Sequence, residues 1–388
     1  MNEWRIVELR EAVTKASGGG TPSRGVSNFW HGDIPWASVK DLSESSSIVS
    51  ETQEYITSAG LGGSAANLIA PGTLVIATRM AVGRVAIAGR EIAINQDLKA
   101  LTPGKDVDSS YLLHCLQGLR PRVQAVATGS TVKGIGSQEL LAMKIGLPVV
   151  REQRKIAEIL DAADEAIRST DRMLLKEEVF ISGLVEEVFS QFPEDQTTRL
   201  QDVASVDRGK FTHRPRNDPR MYGGEFPFIQ TGDVAAAKGG YIFTASQTLN
   251  GRGASVSSSF PPDSIAVTIA ANIADTAILG RRMYFPDSVV GVQVAPPNSV
   301  RFVELSIRRS KARLEARAPQ SAQRNINLTD LRPLPIPLVP IGDQHAIAEL
   351  YGSYARQVDA LKSELVKLKN IKQGLADVLL SGRVRVKV

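Results

Sequence analysis

The chain has 388 residues, of which 43% are hydrophobic and 22% charged, a composition typical of ordinary folded proteins rather than disordered ones. Its single cysteine, Cys115, excludes an intramolecular disulfide and a thiolate metal cage, and it fits a reducing compartment. No signal peptide is visible, and Arg79 and Arg84 interrupt the most apolar run. These features predict a cytoplasmic protein that neither is secreted nor spans a membrane.

The net charge of +5 is unevenly distributed along the chain. Residues 1–150 are nearly neutral, with 14 Lys and Arg against 13 Asp and Glu, whereas residues 196–340 hold 18 against 11. Between them, residues 151–190 are acidic at 6 against 10, and residues 341–388 are basic at 8 against 5. The basic region favours contact with a polyanion, although an ordinary basic surface explains the same balance.

A long internal repeat organises the sequence. Residues 131–159 and 322–350 match in order and chemistry at an offset of 191, and the match extends to Leu9, Val13 and Gly18 opposite Leu200, Ala204 and Gly209. Such a period indicates two copies of one unit, each about 150 residues of globular domain followed by about 40 charged residues. Chance similarity between two α/β domains is the alternative, and the register through different kinds of element argues against it.

The elements of each copy indicate an irregular α/β (α+β) fold. Short apolar runs at residues 74–77, 85–88 and 264–269 predict strands, while 111–117 and 303–314 predict helices. Glycine- and serine-rich segments at 18–28 and 251–259 predict mobile loops. The resulting domain boundaries are 1–150 for the first globular domain, 151–190 for a long helix, 196–340 for the second domain, 341–382 for a second long helix and 383–388 for a tail.

The two charged segments carry apolar residues at alternating spacings of three and four, which predicts a coiled-coil seam. The principal seam positions are Leu160, Ile167, Leu174, Ile181, Tyr351, Val358, Leu365 and Leu375. Opposite net charges favour pairing of the two helices with each other, and a connection of about ten residues makes the second run back antiparallel to the first. The expected object is a pseudo-twofold molecule with helices about 60 Å long; two independent helical hairpins are the alternative.

Motifs for catalysis are missing from the sequence. The four histidines are scattered without metal-ligand spacing, and no Walker A lysine follows a glycine-rich loop. The Asn-Pro-Pro-aromatic signature of amino-methyltransferases is absent, and Pro286-Asp287 lacks the Glu-x-Lys that would complete a nuclease site. We therefore expect a protein that is not an enzyme, with no catalytic or metal-binding residues and no cofactor of its own.

Both helices open on related motifs, Pro148-Val149-Val150-Arg151-Glu152-Gln153 and Pro340-Ile341-Gly342-Asp343-Gln344, and the chain ends on Leu379–Val386. Together with the repeat, these residues resemble the specificity subunit of type I restriction–modification systems over the whole chain. The second copy departs from the first in having its proline one residue later and Asp343 in place of a glutamate.

That resemblance implies a non-catalytic DNA-recognition subunit. Each globular domain is then a target-recognition domain that reads one half of a bipartite, asymmetric site in double-stranded DNA, and the helices set the spacer between the halves. Two methyltransferase subunits dock on the helices, and translocating restriction subunits complete the complex. S-adenosylmethionine, ATP and Mg²⁺ are expected only in those partner subunits.

Polar and basic side chains in loops are the candidates for DNA contact, because base edges and phosphates are bound by such groups. In the first domain the candidates are Lys40, Arg79, Gln96, Lys99, Ser130, Thr131, Lys133 and Gln138. In the second domain they are Lys210, Gln230, Thr231, Arg281, Ser321, Gln323, Arg324, Asn325 and Asn327. Lys133 and Arg324 share one register of the repeat, which favours DNA contact over a solvated surface for this pair.

At the start of the helices, Gln153, Arg154, Gln344 and His345 are candidates for docking partner subunits, and structural capping explains them equally well. Two functions of other classes also stay open. One is a self-contained enzyme such as a methyltransferase or nuclease fused to a recognition domain, and the other is a coiled-coil scaffold that never binds DNA.

Overall fold

The computed structural model describes residues 4–43, 46–129, 133–193, 195–317 and 325–387. The chain divides into two compact units, the first made of residues 1–173 and 361–388 and the second of residues 174–360. Each unit therefore contains one globular domain with part of each long helix.

Among the residues that the structure describes, the first unit contains eleven strands and four helices, and a fifth helix begins in it. The strands are β1 (Arg5–Glu8), β2 (Val13–Gly18), β3 (Trp30–Ala37), β4 (Ile48–Val49), β5 (Glu54–Ile56), β6 (Asn67–Ile69), β7 (Leu74–Ala77), β8 (Val85–Ala88), β9 (Ile92–Ile94), β10 (Leu98–Pro103) and β11 (Lys144–Leu147). The helices are α1 (Leu9–Ala12), α2 (Ser58–Gly62), α3 (Ser109–Val126), α4 (Ser137–Leu141) and α5 (Val150–Ser190).

Two sheets form the body of the first domain. The larger has the order β2-β10-β7-β8-β4, and the smaller has the order β5-β3-β9-β6. Alternation along β7 explains the layers, since Leu74 and Ile76 enter a core shared with α3 and the long helices, while Val75 and Ala77 enter the core between the sheets. β7 is thus buried on both faces, which is why its sequence is a continuous apolar run.

The second unit follows the same plan. Its strands are β12 (Thr197–Arg199), β13 (Ala204–Arg208), β14 (Tyr222–Phe228), β15 (Tyr241–Ile242), β16 (Gln247–Leu249), β17 (Ser258–Phe260), β18 (Ile265–Thr268), β19 (Thr276–Leu279), β20 (Met283–Phe285), β21 (Val289–Val294) and β22 (Pro335–Pro337). Its helices are α6 (Leu200–Val203), α7 (Thr231–Ala237), α8 (Gly251–Ser255), α9 (Val300–Arg309), α10 (Lys311–Arg317), α11 (Leu328–Leu331) and α12 (Ile341–Leu379), the last of which ends in the first unit.

The sheet orders β13-β21-β18-β19-β15 and β16-β14-β20-β17 correspond strand for strand to those of the first unit. Ile265 and Val267 of β18 enter the core with the helices, and Ala266 enters the core between the sheets, as in β7. The predicted internal repeat of two similar α+β domains is confirmed by this topology.

The long helices pair antiparallel within each unit. In the first, Leu160 near the start of α5 shares a core with Leu375 and Leu379 near the end of α12. In the second, the rings of Phe180 and Tyr354 lie 5.1 Å apart, late in α5 and early in α12. The predicted antiparallel pairing is confirmed, and the eight principal seam positions, which stay predictions one by one, are all buried or half-buried. The alternative of independent hairpins is therefore wrong.

Two local predictions need correction. Residues 251–259 form α8 and the start of β17 rather than a mobile loop, because the Asn250 side chain accepts hydrogen bonds from the backbone N–H groups of Arg252 and Gly253 and caps the helix. Gly253 also packs against the backbone carbonyl of Met221, where a Cβ atom would lie 2.2 Å from the oxygen. The predicted helices at 111–117 and 303–314 are parts of the longer α3 and of α9 with α10.

Candidate nucleic-acid interface

In the first domain, backbone hydrogen bonds bring the ends of several strands together at one edge. The N–H of Thr78, just after β7, donates to the carbonyl of Asp97 at 2.8 Å, and the N–H of Asn95, just after β9, donates to Ala37 at the end of β3 at 3.0 Å. The next residues along the chain in these segments include Arg79, Gln96 and Lys40. These three candidates from separate parts of the sequence therefore lie on neighbouring loops. We call the edge of the domain formed by the loops after β3, β7 and β9 the first loop edge.

The segment that opens the repeated motif joins the same edge. The N–H of Met80 donates to the carbonyl of Lys133 at 3.3 Å, and Gly134 forms an isolated bridge with Arg79. A cavity of about 510 Å³ lies here, and its walls include Arg79, Asp97 and Gly134. Arg79 and Lys133 are both exposed, so this part of the edge presents two cations to solvent.

The other candidates of the first domain lie close to this edge. The hydroxyl of Thr21 donates to Oε1 of Gln96 at 2.5 Å, which orients that exposed amide. Lys99 is half-buried on β10, where it pairs with Ile76 of β7, and Gln138 is exposed on α4. The structure therefore places every described DNA candidate of the first domain on, or next to, the same set of loops.

An arginine that sequence reasoning missed lies near this edge. The guanidinium of Arg24 is 3.8 Å from the centre of the Trp30 ring and makes a bidentate ion pair with Glu54. The hydrogen bond from Arg24 holds the pKa of the Glu54 carboxyl below its usual value, and the charge of Lys40 contributes in the same direction. Arg24 lies in a glycine- and serine-rich segment without a motif, so only the tertiary structure reveals its partners.

The second domain gathers the equivalent loops, which we call the second loop edge. Ile229 donates its N–H to Tyr284 at 3.1 Å, Ile269 donates to Ser288 at 3.0 Å, and Asn325 bridges Ala270 as Gly134 bridges Arg79. Lys210 joins the edge through its N–H, which donates to the carbonyl of Phe285 at 3.1 Å. The candidates at this edge are Lys210, Gln230, Thr231, Asn325 and Asn327.

A cluster of arginines on the second loop edge was also missed. Arg216 forms an ion pair with Asp287 at 2.5 Å, and Arg220 forms one with Asp218 at 2.7 Å. The hydrogen bonds from Arg220 hold the pKa of the Asp218 carboxyl well below its usual range. More than half of the side-chain surface of each of these two arginines stays exposed, so the cluster is open to solvent while its acids are paired.

Arg281 lies apart from the other candidates of the second domain. It follows β19, whose end lies beside the start of β18, because Leu279 accepts the N–H of Asp263. The second loop edge lies instead at the end of β18, beyond Thr268. Arg281 therefore lies at the opposite end of the sheet from the second loop edge, and its contact with DNA stays a prediction.

Five further candidates, Ser130, Thr131, Ser321, Gln323 and Arg324, lie outside the described residues. Their described neighbours Lys133 and Asn325 lie on the two loop edges. DNA contact by all of these side chains stays a prediction.

The repeated glutamines at the helix starts have internal roles. Gln153 is fully buried; its amide accepts from the N–H of Asp108 at 2.9 Å and donates to the carbonyls of Asp106 and Pro148. Gln344 does the same at its site, accepting from Ser299 and donating to Val339. These contacts tie each helix to its own domain and favour the structural role, while partner docking by these two side chains stays a prediction.

Arg154 and His345, the neighbours of those glutamines, face outward. Arg154 keeps about two thirds of its side-chain surface exposed and lies 3.8 Å from Asp108, and His345 is exposed beside the carbonyl of Pro297. Docking of a partner subunit by these two residues stays a prediction.

One cluster of metal-ligand type appears only in three dimensions. Nε2 of buried His114 lies 2.8 Å from Asp161 Oδ1, and a ligand atom of Asp164 lies within 4.8 Å of both. The ammonium of Lys372 lies 2.6 Å from Asp164 and compensates its charge, so the group is explained as an interhelical ion network. Nearby, burial raises the pKa of the Cys115 thiol to about 12 and keeps it protonated.

Several apolar side chains on the long helices lie off the seam and are exposed. On α5 in the second unit these include Leu175 and Val179, which are 58% and 73% exposed, and on α12 in the first unit they include Val366 and Ile371.

Among the described residues, no helix is long and apolar enough to cross a membrane.

Comparison with known families and proteins agrees with this architecture. A family model described as the type I restriction modification DNA specificity domain matches twice, over residues 1–177 and 194–370. The specificity subunit of the EcoR124I/EcoR124II restriction enzyme of Escherichia coli is 31% identical over 45% of the chain and 44% of its own length. The MjaIX specificity subunit of Methanocaldococcus jannaschii is 24% identical over 59% of the chain and 57% of its own length. The matched region thus spans about half of each relative.

Two solved structures share the fold over nearly the whole chain. One is the S subunit of a type I restriction–modification system from M. genitalium, with 14% identity, a TM-score of 0.62 and coverage of 97% of this chain and 96% of that one. The other comes from a study of complex assembly and conformational transition of the type I R-M system, with 16% identity, a TM-score of 0.63 and 98% coverage of both chains.

Proposed function

The chain belongs to the type I restriction modification DNA specificity family, and on that premise we propose that it is the DNA-recognition subunit of a type I restriction–modification complex. In this role it carries no catalytic site. It selects the DNA sequence on which partner subunits act.

Each loop edge is assigned to one half of a bipartite site. The strongest support is that the two edges have the same topology but carry different side chains. Arg79 on the first edge corresponds to Ala270 on the second, because Arg79 bridges Gly134 as Ala270 bridges Asn325. Sequence is read by side chains at base edges rather than by the fold. Two equivalent edges with different side chains therefore read two different half-sites, and the target is asymmetric.

The bases are read within a basic surround. Arg79, Lys133, Lys210 and Arg216 supply exposed cations for phosphates on the two edges, and such contacts fix the position of a protein on duplex DNA without specifying sequence. Affinity should consequently fall steeply as salt increases. Lys133 and Arg324, which share one register of the repeat, are assigned to phosphates or base edges of the two half-sites.

The long helices are assigned to spacing and assembly. A 41-residue helix is about 60 Å long, which is the length scale of a site with two separated halves. Methyltransferase subunits dock on the exposed apolar residues Leu175, Val179, Val366 and Ile371, because such side chains on a helix surface are typical of interaction sites. S-adenosylmethionine, ATP and Mg²⁺ belong to the methyltransferase and restriction subunits, and the complex acts in the cytoplasm.

The test is to express the chain with methyltransferase subunits of a type I system and to map methylated adenines in the DNA of those cells. We expect one bipartite, non-palindromic motif, and retention of duplexes carrying it in a shift assay with the same complex. A palindromic motif, or no motif, would contradict the proposal. Methylation or cleavage by the isolated chain would favour a fused enzyme, and failure to retain any duplex would favour a scaffold.

A further inference from the structure

A cavity of about 470 Å³ opens on the second loop edge between β14, β16 and the start of α7. Gln230, Gln247, Tyr222 and Arg216 contribute to its walls. The cavity therefore combines two amides, an aromatic ring and a cation, which is the set of groups that binds nucleobases.

Gln230 has an unmatched hydrogen-bond donor in this wall. Its backbone N–H donates to Asp233 Oδ2 at 2.8 Å, which holds the residue at the start of α7. Its side-chain Nε2 is buried and has no hydrogen-bond partner. Buried donors without partners are rare because their desolvation is uncompensated. Rotation of the half-exposed Gln230 side chain into the cavity would give this N–H an acceptor supplied by a ligand.

The neighbouring strand presents the complementary group. Gln247 is the first residue of β16 and pairs with Phe228 of β14, two residues before Gln230. Its side chain is exposed and reaches the same cavity. A glutamine amide offers both a donor and an acceptor, so the two residues together present the pattern needed for a purine edge.

The first domain uses the equivalent positions for its own structure. There Trp36 of β3 pairs with Glu54 of β5, in the register of Phe228 and Gln247. Glu54 is bound by Arg24, and the Ser38 hydroxyl donates to Asp41 at 2.9 Å. These groups satisfy one another in the first domain, whereas in the second domain Gln247 lacks the charge to hold an arginine, and Arg216 pairs with Asp287 instead.

The rim of the cavity favours a polyanion. Arg216 lines the cavity and shares Asp287 with Arg214, and Arg220 pairs with Asp218 in the same segment; the side chains of Arg214, Arg216 and Arg220 are 55%, 56% and 71% exposed. Two carboxylates, Asp218 and Asp287, lie among them, so the three arginines exceed the acids by one charge. A negatively charged backbone bound at this rim would bring its bases to the amides.

We propose that Gln230 and Gln247 are the base-reading pair of the second domain and that they recognise one adenine of its half-site. The Nε2 donor of Gln230 binds adenine N7, and the Oε1 acceptor of Gln247 binds the N6 amino group, the two groups that adenine presents in the major groove. The inference rests on the proposed DNA-recognition function and assigns a specificity-determining pair within it.

The experiment selects duplexes from a randomised pool with the full-length chain assembled with its methyltransferase subunits. Gln230→Ala and Gln247→Ala are compared with the wild type, and Gln201→Ala, at an exposed glutamine on α6 of the same unit, is the matched control. We expect each cavity variant to lose at least about tenfold of the preference for adenine at one and the same position of one half-site. The other half-site and the control should be unchanged.

The outcomes distinguish a failure of the Gln230–Gln247 assignment from a failure of the proposed recognition function. If the wild type enriches a bipartite site and both variants retain the full adenine preference, or lose preference at different positions, the pair assignment is overturned while the recognition function stands. If the wild type enriches no sequence, the recognition function itself fails. Gln247 is exposed, so its variant tests the assignment even if Gln230→Ala weakens folding, which thermal unfolding of each complex would reveal.

Discussion

Gln153 and Gln344 show how one side chain can define the junction between a domain and its helix. Each amide is buried, accepts one backbone N–H from the domain and donates to carbonyl groups that precede the helix. Alanine at either site would leave buried backbone groups without partners. The repetition of this residue at the 191 offset thus reflects a repeated structural need.

Replacing Gln153 by alanine should lower the free energy of unfolding by about 3 kcal/mol, because buried polar groups without partners cost about 1–3 kcal/mol each. Chemical denaturation of the full chain measures the change. Arg154→Ala, at the exposed neighbour, is the control and should change the free energy by less than about 0.5 kcal/mol. Equal effects of the two substitutions would refute the assigned role.

Glu152 forms a second buried contact at the same helix start. Arg385 of the C-terminal tail binds its carboxylate with two nitrogens at 2.7 and 2.8 Å, and the Trp4 indole donates at 3.3 Å. The hydrogen bonds from Arg385 lower the pKa of Glu152 from its ordinary value of 4.5. The carboxylate therefore links residues near the two ends of the described chain.

A lowered pKa in the folded state means that the Glu152 carboxylate stabilises the fold at pH values above 4.5, and that this contribution is lost as the pH falls through the lowered pKa. Glu152→Gln should thus be clearly less stable than the wild type at pH 7, with the difference shrinking in acid below pH 4.5. Urea unfolding midpoints measured across this range provide the check. A difference that is constant with pH would show that the charge is not responsible.

At the scale of elements, apolar periodicity decides what each strand and helix buries. β7 alternates between two cores, whereas α5 and α12 bury only every third or fourth residue along the seam. The off-seam apolar residues of α5 are exposed. The helix therefore has one apolar surface that is buried along the seam and a second that faces solvent. Packing the seam stabilises the chain, and the second surface is available to a partner.

Leu160→Ala should therefore lower the free energy of unfolding by about 3 kcal/mol, since it opens a cavity in a core that includes Leu375 and Leu379. Val179→Ala, at an exposed position of the same helix, should change it by less than about 0.5 kcal/mol yet weaken assembly with the methyltransferase subunit. Thermal unfolding and analytical ultracentrifugation measure the two effects. If Val179→Ala left assembly unchanged, the docking surface would have to lie elsewhere.

At the scale of the whole molecule, duplication gives one architecture two loop edges, which is what the proposed reading of two half-sites requires. The two units share strand order down to the isolated bridges beside each loop edge. What differs is the chemistry on the edges: Arg24 is bound by Glu54 in one, and Gln247 lines an open cavity in the other. Cores and seams are thus held in common, and the loops are free to diverge.

This modularity predicts the result of exchanging residues 196–340 for the corresponding domain of another family member. The hybrid chain should keep its first half-site and spacer and acquire a new second half-site, because the first loop edge is built from the first unit alone. Methylated-adenine mapping in cells reads out both halves. Altered specificity in both halves would contradict independent reading.

The periodic features could be predicted without coordinates. The repeat, the antiparallel seam and the buried strands at residues 74–77 and 85–88 all follow from spacing, because a heptad or a continuous apolar run has few packed solutions. The prediction of a loop at 251–259 is wrong, because the helix there depends on the Asn250 cap and on packing of Gly253 against a distant carbonyl.

The candidate interface was predictable only in part. Polar residue type and loop position predict that Arg79, Gln96 and Gln230 lie on exposed loops, but not that Arg281 lies at the far end of the sheet, because that place depends on strand order. The roles of Gln153 and Gln344 and the pairing of Arg24 with Glu54 depend on residues tens of positions away, and the unmatched donor of Gln230 is visible only in the packed structure. Local pattern determines the elements because propensity and periodicity act over a few residues, whereas burial and hydrogen-bond partners arise only when distant segments pack together.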